Sequence, residues 1–319
     1  MNPAIRTENL GKHFGRTAAL DGVSLAVPEG AIYALVGRNG AGKTTLIKLL
    51  MNILRPSAGS ARVLDADATR LAGKGFRGIG YVSENQELPN WMTVGALLDF
   101  CRPFYPHWDR EFAERLVEQF DLPLKRQLRQ LSRGMRMKAA FVSALAYRPR
   151  LIVLDEPFSG LDPLVRDELI DSLLELAGES TIFLSSHDLA EIESLASHVG
   201  YLEEGHLLFS EEMSTLSARF RDVTVTLPEA VSARADSPAA PGIPSVWIDV
   251  QVSGPVIRFV HTQFEGEAAE RQVAEAFPAA LSIVYDPMPL RAIFLAVAKS
   301  QRNLSRLAQA NASARTVKP

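Results

Sequence analysis

The sequence predicts an α/β fold: a mostly parallel sheet covered by helices, followed by a small C-terminal α+β unit. Three observations carry this expectation. Residues 1 to about 220 alternate apolar runs with amphipathic helical stretches, the pattern of linked β-α-β units. Within them, residues 37–44 read GRNGAGKT, flanked by the apolar run AIYALV at 31–36 and by a helical pattern. Beyond them, Pro228, Pro238, Pro241 and Pro244 fall in an Ala/Ser-rich stretch that reads as a linker over residues 221–245.

The glycine loop is the first chemical element. It matches G-x-x-x-x-G-K-S/T in full, and its strand–loop–helix context is the one the motif requires. Loop amides and a helix N-terminus present positive dipole to polyphosphate. The candidate phosphate-binding residues are Gly37, Arg38, Asn39, Gly40, Ala41, Gly42, Lys43, Thr44 and Thr45. Lys43 can reach the β- and γ-phosphates, and the Thr44 hydroxyl can ligate Mg²⁺. The helix after the loop is expected to place Leu46, Ile47, Leu49, Leu50, Ile53 and Leu54 on one broad face.

The second element is LIVLDEP at 151–157, whose four apolar residues suit a central parallel strand. Asp155 and Glu156 then stand at its carboxyl end, where open α/β sheets place ligands. Asp155 suits Mg²⁺, and Glu156 suits polarising an attacking water. Neighbouring side chains of an extended chain point to opposite sides, so the two carboxylates are expected to serve different roles. A plain helix-capping acidic pair is the alternative. A third strand, TIFL at 181–184, runs into Ser185, Ser186, His187 and Asp188, which delivers His187 to the same sheet edge as a candidate catalytic group.

Composition agrees with a soluble nucleotide enzyme. The chain has 319 residues, 47% hydrophobic and 22% charged, enough for about two domains. A net charge of −3 argues against a nucleic-acid partner. With Cys101 as the single cysteine there is no internal disulfide, which fits a reducing cytoplasm. No apolar stretch approaches the roughly 18–20 residues of a membrane helix. The opening MNPAIRTENLGKHFG has no apolar core, so no signal peptide is expected.

Past the linker, residues 246–252 alternate, 253–255 turn, and 256–261 read as a second strand. A helix at 267–277, a strand at 281–285 and a helix at 290–299 come next. This is the expected accessory α+β domain, 246–300. Residues 301–319 read as a flexible basic tail, either solvated or close to anionic lipid.

Three further motifs complete the pattern. LSRGM at 131–135 precedes a helical stretch and the LIVLDEP strand, SGLD at 159–162 comes after that strand, and KHFG places Phe14 near the N-terminus. Taken in this order over roughly residues 5–217, the motifs resemble the ATP-binding cassette (ABC) family of transporter ATPases. The resemblance implies an ATP hydrolase using ATP and Mg²⁺, with a P-loop ATPase core in domain 1–220. It further implies a helical subdomain over about 85–148 and an antiparallel β edge. By resemblance Phe14 stacks on adenine, Asp162 belongs to the loop beside the nucleotide, and Ser132 and Gly134 meet the γ-phosphate across a head-to-tail dimer.

Two positions depart from the family pattern LSGGQ and its upstream glutamine. Arg133 and Met135 replace the first glycine and the glutamine of the signature. Glu84, in YVSEN, stands where a glutamine usually contacts Mg²⁺; by the resemblance its carboxylate is a third metal-ligand candidate beside Thr44 and Asp155, while adding negative charge near the triphosphate. With FYPHWD at 104–109 and the extra C-terminal domain, the chain is similar to ATPases of bacterial drug, bacitracin and related exporters. The implied partners are an integral membrane permease and a second copy or homologous ATPase, with the protein cytoplasmic at the inner face of the cell membrane. The alternative is a soluble ABC ATPase acting in translation or DNA maintenance.

Overall fold

The computed structural model describes residues 2–228 and 244–301. The chain divides into two compact units, Met1–Glu211 and Glu212–Pro319.

The first unit opens with β1 (Ile5–Phe14) and β2 (Thr17–Val27), an antiparallel pair. β4 (Ala58–Val63) and β5 (Ala66–Asp67) extend it in the order β2-β1-β4-β5. This is the antiparallel edge. The second sheet holds β3 (Ile32–Val36), β6 (Ile79–Ser83), β7 (Leu151–Asp155), β8 (Thr181–Ser186), β9 (His198–Glu203) and β10 (His206–Glu212) in the order β10-β9-β3-β8-β7-β6. Its pairs β3/β8, β3/β9, β6/β7 and β7/β8 are parallel. Every residue of β3, β7 and β8 is buried, as continuous apolar runs between helical layers require.

Register places the site. Val36 pairs with Ser186, Asp155 with Ser185, and Ser83 with Asp155. The carboxyl ends of four neighbouring strands are therefore level. The next residue along each chain, Gly37, His187, Glu156 or Glu84, lies just past one common edge.

Helix α1 (Lys43–Leu50) buries Leu46, Ile47, Leu49 and Leu50. It stops before Ile53, which the periodicity placed on the same face and which is 54% exposed. The stop is local: Asn52 turns to a φ of +53°, a conformation asparagine tolerates, and its side-chain amide donates to Leu71 O at 2.9 Å. The helical region then comprises α2 (Val94–Cys101), α3 (Arg110–Gln119) and α4 (Arg133–Leu145), N-capped by Thr93, Asp109 and Ser132. α5 (Pro163–Leu174) is capped by Asp162 and α6 (Leu189–Glu193) by Asp188. Among the described residues no helix is long and apolar enough to cross a membrane.

The second unit begins with α7 (Met213–Arg219) and β11 (Arg221–Thr226). β11 corrects the sequence reading, which gave 221–226 to a linker. RDVTVT alternates and buries Val223 and Val225, but the prolines beyond it mask this short strand signal. It pairs antiparallel with both β13 (Val256–His261) and β14 (Ser282–Pro287), and β12 (Trp247–Ser253) pairs with β13. The order β12-β13-β11-β14 sets the first strand of the unit at its centre, as in split β-α-β folds. The helix Glu267–Ala276 contributes Val273 to a core in which Trp247 stacks on Phe259 at 4.3 Å. Residues 290–301 are helical. The linker reading for 229–243 and the tail reading for 302–319 lie outside the described residues.

Candidate functional site

The site is built from the segments just past the level strand ends. After β3 the chain turns through residues 37–42 and enters α1 at Lys43. Gly42 permits this: its φ is +110°, and a Cβ there would lie 2.5 Å from Ala19 O. The Lys43 side chain is only 5% exposed and folds back over the loop. Its ammonium donates to Gly37 O at 2.6 Å and Arg38 O at 3.2 Å, and sits 3.0 Å from Glu156 Oε1. All three of its N–H donors thus have acceptors.

Asp155 faces the start of α1. Its Oδ1 accepts from the Thr44 hydroxyl at 3.0 Å and from the Ser185 hydroxyl at 2.8 Å. Burial pushes the Asp155 carboxyl above the usual range, the two hydroxyls oppose that, and the Glu156 carboxylate adds to it. Thr44 and Asp155 supply hard oxygen donors of the kind Mg²⁺ takes when phosphates and water complete its shell.

Glu156 is not in the extended conformation that the two-sided reading of the carboxylates assumed. Its φ is +51°, in the left-handed region. Such a non-glycine residue persists only where its surroundings hold it. Here its amide donates to Ser185 Oγ at 2.9 Å, while one carboxylate oxygen meets Lys43 and the other lies 2.7 Å from His187 Nδ1. Their partners differ: Asp155 bonds hydroxyls, and Glu156 bonds a lysine and a histidine. Ser185, fully buried, locks the two residues together. Sequence reasoning passed over Ser185, and its signal was its place in register with Asp155 on the adjacent strand.

The structure therefore brings Gly37, Arg38, Lys43, Thr44, Asp155, Glu156 and His187 together. Asn39, Gly40, Ala41, Gly42 and Thr45 lie in the same loop and first helical turn, whereas the side chains of the other candidates bond or pack elsewhere. Ser132 accepts from Met135 N at 3.2 Å and Asp162 from Val165 N at 3.1 Å, each as a helix cap. Gly134 packs against Val165. Glu84 bonds Arg133 and Ser159. Phe14 is half exposed, with Lys12 Nζ 5.1 Å from its ring centroid, so an apolar ring is offered at the surface.

Comparison with known proteins gives this geometry a family. A family model described as ABC transporter matches residues 20–159. The bacitracin transport ATP-binding protein BcrA of Enterococcus faecalis is 33% identical over 228 residues, covering 70% of this chain and 74% of that protein. The chain belongs to the ABC transporter family. It is an ABC-type ATP hydrolase, the ATP-binding kind of subunit. An import protein is similar as well: the Fe(3+) ions import ATP-binding protein FbpC of Mesorhizobium japonicum is 35% identical over 249 residues, covering 72% of this chain and 68% of that protein. Among solved structures, an ATP binding subunit of an ABC transporter superposes with a TM-score of 0.62 at 26% identity, covering 67% of this chain and 92% of the other.

Proposed function

We propose that this ATPase powers a separate integral membrane permease that exports a drug, peptide antibiotic or similar cargo, and that it works as a head-to-tail pair. The observation that carries the catalytic part is the convergence of Lys43, Thr44, Asp155, Glu156 and His187 on one sheet edge. Lys43 is paired with the proposed base. An arriving triphosphate offers Lys43 a stronger set of acceptors, and the lysine leaves Glu156 for the β- and γ-phosphates. Glu156 then accepts a proton from the water that attacks the γ-phosphorus as the bond to ADP breaks, and His187 orients its carboxylate. Thr44 and Asp155 would hold Mg²⁺, which would supply positive charge to offset that of the triphosphate. Most of the rate comes from positioning and charge stabilisation.

Pairing is supported by what one chain leaves undone. Ser132 caps the N-terminus of α4, which carries positive dipole, by accepting from Met135 N, and Gly134 lies in the first turn of that helix. A second copy brings such a helix end to the γ-phosphate. The Glu156→Gln protein, held before hydrolysis, should run as a dimer with ATP and a monomer without it. Adding Ser132→Glu, which sets a carboxylate against the phosphate, should abolish the shift. Light scattering that finds one ATP-insensitive mass for both proteins refutes the pairing. Export rests on the sequence resemblance to drug and bacitracin exporter ATPases, and cargo accumulation in cells expressing the ATPase with its permease tests direction.

The second unit we assign an accessory role in pairing or regulation, with no catalytic group. Its core of Val223, Val225, Trp247, Phe259 and Val273 is its own. A chain ending at Glu212, which keeps β10 whole, should bind ATP within about threefold of the full chain, a difference under 1 kcal/mol. If it folds by circular dichroism but binds no ATP, the partition fails.

A further inference from the structure

The two departures from the family pattern meet in space. Glu84 lies past the end of β6 and Arg133 opens α4, 49 positions later, yet Arg133 Nη2 donates to Glu84 Oε1 at 2.8 Å. The same oxygen accepts from Ser159 Oγ, in the loop after β7, at 2.9 Å. The next residue, Gly160, has a φ of +66°, and a Cβ there would lie 2.9 Å from Arg133 Nη1. Three segments far apart in the chain thus close around one guanidinium. Glu84 is also tied by its backbone to the metal side of the site, since its amide donates to Asp155 O at 2.8 Å.

We propose that Arg133 is a positioning residue for nucleotide binding: it holds and neutralises the Glu84 carboxylate beside the phosphate site, so that the pair acts as one unit. The inference rests on the reading of that site as the Mg·ATP site. Asp155 and Glu156 already place two carboxylates at this edge. Glu84 is a third, and an unpaired one would repel a triphosphate. Arg133 offsets that charge with a fork that also lies against the loop at 159–160, geometry a lysine would not reproduce. Once Mg²⁺ accompanies the nucleotide, a carboxylate at this edge is no longer a liability. The pair therefore matters most for nucleotide arriving without metal. Both side chains are partly exposed, at 51% and 31%, so the pair contributes little to the fold itself.

The test is calorimetric titration of the full chain with adenylyl imidodiphosphate, which is not hydrolysed, in Mg²⁺ and in EDTA. The proteins are wild type, Arg133→Ala, Glu84→Gln and the double variant. In EDTA, Arg133→Ala should weaken binding about three- to tenfold, and Mg²⁺ should remove most of that loss. With Glu84→Gln already present, adding Arg133→Ala should change binding less than about twofold, because no carboxylate remains to neutralise. Arg133→Lys should recover only part of the loss. Melting temperatures should stay within about 4 °C of wild type, as for an exposed pair. An equal loss in the Glu84→Gln background overturns the proposal, because Arg133 would then act on the nucleotide directly. So does an Arg133→Ala protein that binds like wild type in EDTA. Lys43→Ala separates the two readings: if it binds as wild type does, the phosphate-site assignment itself is wrong.

Discussion

Glu156→Gln should bind ATP as well as wild type or better, while turnover falls about 10²–10⁴-fold. The loss comes from removing the carboxylate that accepts the proton of the attacking water. The gain in binding comes from the Lys43–Glu156 pair. Lys43 Nζ is 3.0 Å from Glu156 Oε1, and the two side chains are 5% and 11% exposed. ATP must draw the ammonium away from that carboxylate before the phosphates can use it. Glutamine keeps the shape and an acceptor oxygen but lowers the attraction, so less is lost when Lys43 moves. Single-turnover hydrolysis and equilibrium binding measure the two halves separately. Near wild-type turnover would show that the water is activated by another group. Weakened ATP binding would show that Lys43 does not exchange partners.

Lys43→Ala should weaken ATP binding about 10–100-fold, the loss of charge-assisted bonds worth about 1.5–3 kcal/mol. The same change should destabilise the nucleotide-free protein, because Glu156 is left buried without its cation and breaking a buried pair costs about 3–5 kcal/mol. His187 beside Oε2 moderates that figure. The double variant Lys43→Ala, Glu156→Gln distinguishes the effects, since it should recover stability in denaturant titration but not ATP affinity. Wild-type affinity in Lys43→Ala would remove the loop from the phosphate site. A double variant that regains affinity would mean that the loss came from misfolding and not from missing phosphate contacts.

Several parts of the site were legible in the sequence because each is encoded within a few neighbouring residues. The loop at 37–44, with its glycines, lysine and threonine, comes after an apolar run and precedes a 3.6-residue period, and it folds as strand, loop and helix. The apolar runs ending at Asp155 and before Ser185 are short, continuous and buried, as central parallel strands must be. Such signals are local, and the chain itself fixes how close these atoms lie. β11 escaped notice because six alternating residues beside a proline-rich stretch look like the linker that they border.

The tertiary structure alone decided which of these local pieces touch. The left-handed turn at Glu156 is held by Ser185, 29 positions away, and no preference of glutamate favours it. The contact of Lys43 with Glu156 depends on the level ends of β3, β8 and β7, a matter of strand register. The meeting of Glu84 with Arg133 depends on where α4 packs. The sequence by itself determined the segments, the phosphate loop and the acidic strand end, because periodicity and backbone preference act over a few residues. Pairings across 29 to 113 positions were settled by packing, because contacts at that separation exist only after the sheet has assembled and its register has brought the strand ends together.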